Sequence, residues 1–219
     1  MRWLLPLLIY VSAHARTVET KGPCIGPSEA TTYFVYLNGA HRTAGYDSDY
    51  RTRKILTEVG EKLKIRFALP IAHMTCDWDK ERSCWTDGKE HDRQTLAVKY
   101  MIEEVAKECF GGSKFGLVGF SNGAGFVQSL MRSCTASDYT RLIAIGGGNL
   151  RRVASDPASL SSCQPKLLLV IGDKDPAAEG TKKAFKTLQD LQAPVEMQSY
   201  EGGHVLLAEP LEKALESGG

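Results

Sequence analysis

Short apolar runs alternate with longer amphipathic segments along most of the chain. Six runs have the β-branched, aromatic or continuously apolar character of strands, at 31–37, 65–70, 114–120, 141–147, 165–172 and 195–200. Three of these runs are nearly continuous in apolar residues, as in strands that are covered on both faces. The segments between them repeat apolar residues at helical spacing, at 48–62, 92–109, 122–132, 179–191 and 206–216. This alternation predicts parallel βαβ units in a three-layer α/β fold, with a mostly parallel sheet of about six strands.

The length and composition fit one such domain. The chain has 219 residues, of which 42% are hydrophobic and 24% are charged, as in ordinary globular proteins. Residues 71–90 have no clear periodicity and contain Trp78 and Trp85. No insertion is long enough to form a cap domain, so we expect a single domain over residues 16–219 without one. The 27 basic and 26 acidic side chains form no basic stripe, which argues against a nucleic-acid partner.

The first fifteen residues have the pattern of a signal peptide. Arg2 precedes an apolar run from Trp3 to Val11, and Ala13-His14-Ala15 is an A-x-A cleavage site. The alternative is a buried N-terminal strand or helix. The run is too short to span a bilayer, and no later segment is long and apolar enough to do so. We therefore expect cleavage after residue 15 and a secreted or periplasmic protein without a membrane span.

Six cysteines agree with export. An even number in an exported chain predicts disulfides, and six cysteines allow 15 pairings. Cys76 and Cys84 are close enough in sequence to close one loop, and the other pairings stay open. No C-x-x-C and no His/Cys spacing of a zinc site is present, so we expect structural disulfides rather than a metal site or a nucleophilic cysteine.

The third predicted strand is followed by Gly119-Phe120-Ser121-Asn122-Gly123, a G-x-S-x-G sequence. On its own this pattern is common by chance and is typical of a plain turn. Between an apolar strand and a helix it predicts a nucleophile elbow, a strained turn that exposes the serine while glycines let strand and helix pack closely. Ser121 is then the candidate nucleophile, and the backbone N–H of Asn122 at the helix N-terminus is a candidate oxyanion donor.

Candidate partners for Ser121 follow the last two predicted strands. Gly172-Asp173-Lys174-Asp175-Pro176 places two aspartates where a serine hydrolase needs a carboxylate to orient its histidine. The same residues are also typical of an ordinary turn before proline. His204 follows two glycines after the sixth strand. The order serine, aspartate, histidine along the chain is that of α/β-hydrolases.

The loop after the first predicted strand is the candidate source of a second oxyanion donor. Its sequence is Leu37-Asn38-Gly39-Ala40-His41, and the N–H of Ala40 is the candidate donor, although an ordinary Asn-Gly turn fits the residues nearly as well. His41, Trp78 and Trp85 are candidate substrate-binding residues at the mouth of the site. The two tryptophans can alternatively pack on the core or beside a disulfide.

These motifs resemble the polyhydroxybutyrate depolymerase and feruloyl esterase branch of the α/β-hydrolase fold. The branch has G-x-S-N-G-G, G-T-x-D-P and G-G-H motifs, which are similar to 119–124, 172–176 and 202–204 here. The resemblance runs from about Thr31 to about Leu206. Because the family's aspartate precedes the proline, the resemblance implies Asp175 rather than Asp173.

The chain departs from that branch at two places. The family's His-Gly is Asn38-Gly39 here, and the tryptophan that often lies two residues after G-G-H is Leu206. The chain is also short, with six evident strands and no insertion for a cap domain. The resemblance therefore implies ester hydrolysis but not the family's particular substrates.

The function that this sequence predicts is a serine carboxylesterase that forms an acyl-enzyme without a metal or organic cofactor. Without a cap the site should be open, which suits an aryl-substituted or polymeric ester, and we expect a monomer. One alternative is a non-catalytic protein of the same fold that binds a ligand or partner. The other keeps the chemistry and cleaves a thioester or a peptide bond, because all three reactions form the same tetrahedral intermediate.

Overall fold

Ten strands and five helices lie within the described residues, and most of them follow the alternation that the sequence predicts. The computed structural model describes residues 22–42, 50–72, 74–85, 91–132, 134–147 and 160–217. The strands are β1 Cys24–Ile25, β2 Thr32–Leu37, β3 His41–Arg42, β4 Ile65–Ala68, β5 Met74–Cys76, β6 Asp79–Cys84, β7 Gly116–Phe120, β8 Leu142–Ile145, β9 Leu167–Gly172 and β10 Val195–Tyr200. The helices are α1 Tyr50–Leu63, α2 His91–Phe110, α3 Asn122–Arg132, α4 Ala178–Asp190 and α5 Ala208–Glu216.

Seven strands form the main sheet, in the order β1-β4-β2-β7-β8-β9-β10. All neighbours pair in parallel except β1, which runs antiparallel to β4. The six predicted strands are β4, β2, β7, β8, β9 and β10, so the mostly parallel sheet is confirmed. Parallel pairing brings the carboxyl ends of β2, β7, β9 and β10 to one edge, where ligands bind in such sheets.

Helices cover both faces of the sheet and bury its alternating side chains. On β2, Val35 and Leu37 belong to one apolar cluster with residues of α2, α3 and α4. Phe34 and Tyr36, which point the other way, belong to a second cluster with residues of α1 and α5. The sheet therefore separates two apolar layers, as predicted for a three-layer α/β fold.

Two short features were missed because they carry no apolar periodicity. The edge strand β1 is two residues long and is tied to α2 by the Cys24–Cys109 disulfide. The prediction that residues 71–90 are irregular is wrong in part, since β5 and β6 form a three-stranded sheet with β3. The sequence of β6, DKERSC, is mostly charged, so its strand conformation depends on pairing with β3 and β5 rather than on burial.

Three disulfides are present and no described cysteine is free. They join Cys24 to Cys109, Cys76 to Cys84 and Cys134 to Cys163. The predicted pairing of Cys76 with Cys84 is confirmed. The predicted signal peptide, residues 1–15, lies outside the described residues. Within the described ranges, no helix combines the length and apolar content that a bilayer span requires.

Candidate active site

Ser121 lies on a tight turn between β7 and α3. Its φ is +52°, a left-handed conformation that is uncommon for a residue with a side chain. Its N–H donates to the carbonyl of Ile145 at the end of β8, at 2.9 Å. A Cβ at Gly119 would overlap the carbonyl of Gly123, and a Cβ at Gly123 would overlap that of Leu37. The two glycines are therefore what lets the chain turn this sharply.

His204 joins Ser121 to Asp175. The loop after β10 places Nε2 of His204 2.9 Å from Oγ of Ser121 and Nδ1 2.8 Å from Oδ2 of Asp175. An ionised carboxylate only accepts hydrogen bonds, so Nδ1 carries the imidazole proton and Nε2 is left to accept one from the serine hydroxyl. The side chain of His204 is 39% exposed, whereas that of Asp175 is fully buried. A hydroxyl, an imidazole and a buried carboxylate thus form one chain of hydrogen bonds.

The two aspartates after β9 have different surroundings. Besides His204, Asp175 accepts the N–H of Ala177 on Oδ1 at 2.7 Å. Asp173 is exposed, and its Oδ1 accepts the N–H of Gly202 at 2.8 Å. Asp173 therefore ties the loop after β9 to the loop that carries His204, and only Asp175 reaches the imidazole.

Two residues that the sequence did not single out shape the histidine loop. Tyr200, the last residue of β10, donates its hydroxyl to the carbonyl of Val205 at 3.0 Å, just beyond His204. Burial, and then the charge of Asp175, raise the pKa of the Tyr200 phenol, so it stays a neutral donor. Gly146 has a φ of +64°, and a Cβ there would lie 3.3 Å from both Oδ2 of Asp175 and Nδ1 of His204. No sequence pattern marks either residue. Gly146 lies across the sheet edge from the residues it approaches, and Tyr200 bonds within its own irregular loop.

The loop after β2 lies directly against the serine. A Cβ at Gly39 would be 3.1 Å from Cβ of Ser121, so only a glycine fits there without displacement. Asn38 holds this loop from within, since its Nδ2 donates to the carbonyl of Gly39 at 2.8 Å and lies 2.7 Å from Nδ1 of His41. Ala40 follows Gly39 in the same loop. On the other side of the serine, Asn122 is the first residue of α3.

The three residues predicted to bind substrate occupy different places. His41 is half-buried and begins β3 beside Asn38. Trp78 is 61% exposed in the turn between β5 and β6, with the Arg82 guanidinium 5.5 Å from its ring centre. Trp85 is fully buried, so the prediction that it lines an open mouth is wrong and its alternative, packing in the core, is observed. Its ring completes the core under the loop after β2 instead of facing solvent.

Across the part of the chain that the structure describes, no three His, Cys, Asp or Glu side chains are arranged to hold a metal ion. His204 and Asp175 are bonded to each other, and the described cysteines are paired in disulfides.

Solved structures with a similar fold include several esterases. Esterase PE8 is 22% identical, with a TM-score of 0.51, over 88% of this chain and 94% of that chain. A carboxylesterase from Bacillus cereus is 15% identical, with a TM-score of 0.61, over 89% and 91%. LpqC, a poly(3-hydroxybutyrate) depolymerase from Bordetella parapertussis, is 16% identical, with a TM-score of 0.54, over 87% and 82%.

The similarity of these structures shows that this chain has the α/β-hydrolase fold, and at 15–22% identity it shows the fold alone. No curated protein matches the chain significantly. The sequence itself matches one family, described as Serine hydrolase (FSH1), over residues 27–209. Because that match covers most of the chain, the protein belongs to the Serine hydrolase (FSH1) family.

Proposed function

We propose that this serine hydrolase is a carboxylesterase in which Ser121, His204 and Asp175 form the catalytic triad. The observation that carries the proposal is the continuous chain of hydrogen bonds from Oγ of Ser121, through both nitrogens of His204, to Oδ2 of Asp175. The three residues lie at the carboxyl ends of β7, β10 and β9, where α/β-hydrolases place nucleophile, histidine and acid.

In the proposed reaction, His204 accepts the hydroxyl proton of Ser121 through Nε2 while Oγ attacks the ester carbonyl carbon. Asp175 stabilises the resulting imidazolium through Nδ1. The tetrahedral intermediate collapses as His204 returns the proton to the leaving alkoxide, which departs as an alcohol. Water then attacks the acyl-enzyme by the same route and releases the acid and the free serine.

The oxyanion of each intermediate is proposed to lie between the backbone N–H groups of Asn122 and Ala40. Asn122 begins a helix, whose N-terminal dipole favours negative charge. Ala40 follows Gly39, whose contact with Ser121 brings this loop beside the nucleophile. Each such donor typically lowers the barrier by about 3 kcal/mol.

The substrate that we propose is an ester with a bulky, aryl-substituted or polymeric group. The exposure of His204 supports a site that opens to solvent, and Trp78 offers an exposed aromatic face on the neighbouring hairpin. One chain supplies all three triad residues, so the proposed reaction needs no residue from a second copy, and we propose a monomer.

We also propose that the protein is exported, with residues 1–15 as a cleaved signal peptide and residues 16–219 as one domain. The three disulfides support this location, because disulfides persist mainly in oxidising compartments.

The test is hydrolysis of p-nitrophenyl esters, from acetate to octanoate, and of methyl ferulate, by wild type and by Ser121→Ala. We expect wild-type turnover, labelling of Ser121 by a fluorophosphonate, and a loss of about 10⁴-fold or more in kcat in the variant. The dependence of turnover on acyl chain length measures the size of the acyl-binding site. Labelling without turnover of any ester would instead indicate a thioester or peptide bond, and folded wild type that neither turns over nor labels would indicate a binding protein.

A further inference from the structure

The two sides of the proposed oxyanion hole come from different parts of the fold. One is the loop after β2, which contains Asn38 and Ala40, and the other is the start of α3 at Asn122. Donors of this kind work only if they are held at fixed positions before the charge develops. A structural element that bonds to both segments would set the distance between them.

Trp85 makes such bonds to both segments. Its backbone N–H donates to Oδ1 of Asn122 at 2.8 Å, and its indole Nε1–H donates to the carbonyl of Asn38 at 2.7 Å. The indole bond to Asn38 is buried, and a hydrogen bond in the protein interior is stronger than one in water.

The bond to the Asn38 carbonyl fixes the orientation of a peptide plane. In a trans peptide the C=O and the following N–H point in opposite directions. When the carbonyl of Asn38 is held toward Trp85, the N–H of Gly39 must point away from it. The position of the next peptide, which carries the N–H of Ala40, is then restricted as well.

Trp85 is itself anchored. It directly follows Cys84, the last residue of β6, which is buried and joined to Cys76 on β5. The ring belongs to the apolar cluster that also contains Leu37 of β2 and Ala124 of α3. The tryptophan is therefore held by a disulfide on one side and by core packing on the other.

We propose that Trp85 is a positioning residue that holds the two sides of the oxyanion hole at their working separation. This inference rests on the proposed esterase function. Trp85 does not touch the substrate. It acts through Asn38 and Asn122, and its contribution is greater to the transition state than to the bound substrate.

The test compares Trp85→Phe with Phe67→Leu. The first keeps most of the ring and removes the indole N–H, and the second trims a buried side chain of β4 in the other apolar layer. For Trp85→Phe we expect kcat, normalised by fluorophosphonate titration, to fall by about tenfold or more with KM little changed. The inhibition constant of an aryl trifluoromethyl ketone, which forms a tetrahedral adduct with the serine, should rise by a similar factor. Phe67→Leu should change neither kcat nor the inhibition constant of the ketone.

A second variant covers the case in which Trp85→Phe does not fold. Asn122→Ala removes the acceptor of the Trp85 N–H and keeps the backbone donor at position 122, so the ketone should again bind more weakly. If both variants fold, the double variant should lose less than the product of the two single losses, because the two broken hydrogen bonds are the two ends of one link between the loop after β2 and α3.

Two contradictory outcomes are distinguishable. Wild-type turnover together with unchanged kcat and ketone binding in Trp85→Phe, or in Asn122→Ala, would overturn the positioning role and leave the esterase intact. Wild type that hydrolyses no ester would overturn the proposed function and this inference with it.

Discussion

At the residue scale, Asp173 and Asp175 are two carboxylates on one turn with different partners. Asp175 is buried and accepts hydrogen bonds from His204 and Ala177, whereas Asp173 is exposed and accepts one from Gly202. Asparagine has nearly the shape of aspartate. At position 175, however, its amide would stabilise the imidazole tautomer with the proton on Nε2, which cannot accept the serine proton.

Asp175→Asn should therefore reduce kcat by about 10³- to 10⁴-fold with little change in KM. Asp173→Asn keeps an oxygen that can accept the hydrogen bond from the Gly202 N–H, so its kcat should fall far less. Steady-state kinetics of the two variants on one p-nitrophenyl ester measure the difference. If position 173 proved the more sensitive, the assignment of the acid would have to be reversed.

The triad candidates were predictable because each follows a strand that the apolar pattern marks. Parallel strands bring their carboxyl ends to one edge, so Ser121 and His204, 83 residues apart, meet without any local signal linking them. The choice of Asp175 came from a resemblance and not from the residues themselves. The roles of Tyr200 and Gly146 and the burial of Trp85 were not predictable, since each depends on contacts of the folded loops that no sequence pattern marks.

At the scale of elements, the elbow depends on close approach between β2, β7 and α3. A methyl group at Gly123 would overlap the carbonyl of Leu37, at the end of β2. Gly125, two residues further along α3, is half-buried and has nothing within 4 Å of its potential Cβ. The two glycines therefore form a matched pair within one helix.

Gly123→Ala should lower the free energy of unfolding by about 1–3 kcal/mol or more, because backbone must move to accept the methyl group. It should also reduce esterase activity, since the displaced segment leads into the loop of Asn38. Gly125→Ala should raise stability by about 0.5–1 kcal/mol, because alanine favours the helix. Denaturant unfolding of both variants measures the two changes in free energy. A Gly123→Ala variant more stable than wild type would contradict the packing argument.

The small sheet of β3, β5 and β6 could not be predicted from the apolar pattern of the sequence. Its strands are short and polar, and their order comes from pairing with one another and from the Cys76–Cys84 disulfide. Apolar periodicity indicates burial against a core, so a strand that is exposed or only half-buried along most of its length, as β6 is, gives no such signal. This hairpin nevertheless carries Trp85 to the elbow, so a part of the site arises from a segment without a readable pattern.

At the scale of the whole molecule, the three disulfides join segments at very different separations. Cys24 and Cys109 are 85 residues apart, whereas Cys76 and Cys84 are 8 apart. Sequence alone suggested only the short pairing, because proximity along the chain is the one guide to pairing that it offers. In the loop-entropy model the long link contributes about 4–5 kcal/mol to stability and the short one about 2–3 kcal/mol.

Removing the long disulfide should mainly lower stability, whereas removing the short one should mainly lower kcat. Cys24→Ala/Cys109→Ala should lose more free energy of unfolding, because its link closes the longer loop, yet keep its kcat per active site at temperatures where it stays folded. Cys76→Ala/Cys84→Ala should lose less stability and more kcat, because Cys84 anchors Trp85 beside Asn38 and Asn122. Paired alanines leave no free thiol to form a wrong disulfide.

The measurement is denaturant unfolding together with kcat normalised by fluorophosphonate titration, for both double variants and wild type. If activity followed stability in the two variants, the short disulfide would serve only to hold its hairpin together. The opposite ranking of the two quantities would show that the small sheet is a support for the active site, while the long link holds the edge strand β1 to the core of the fold.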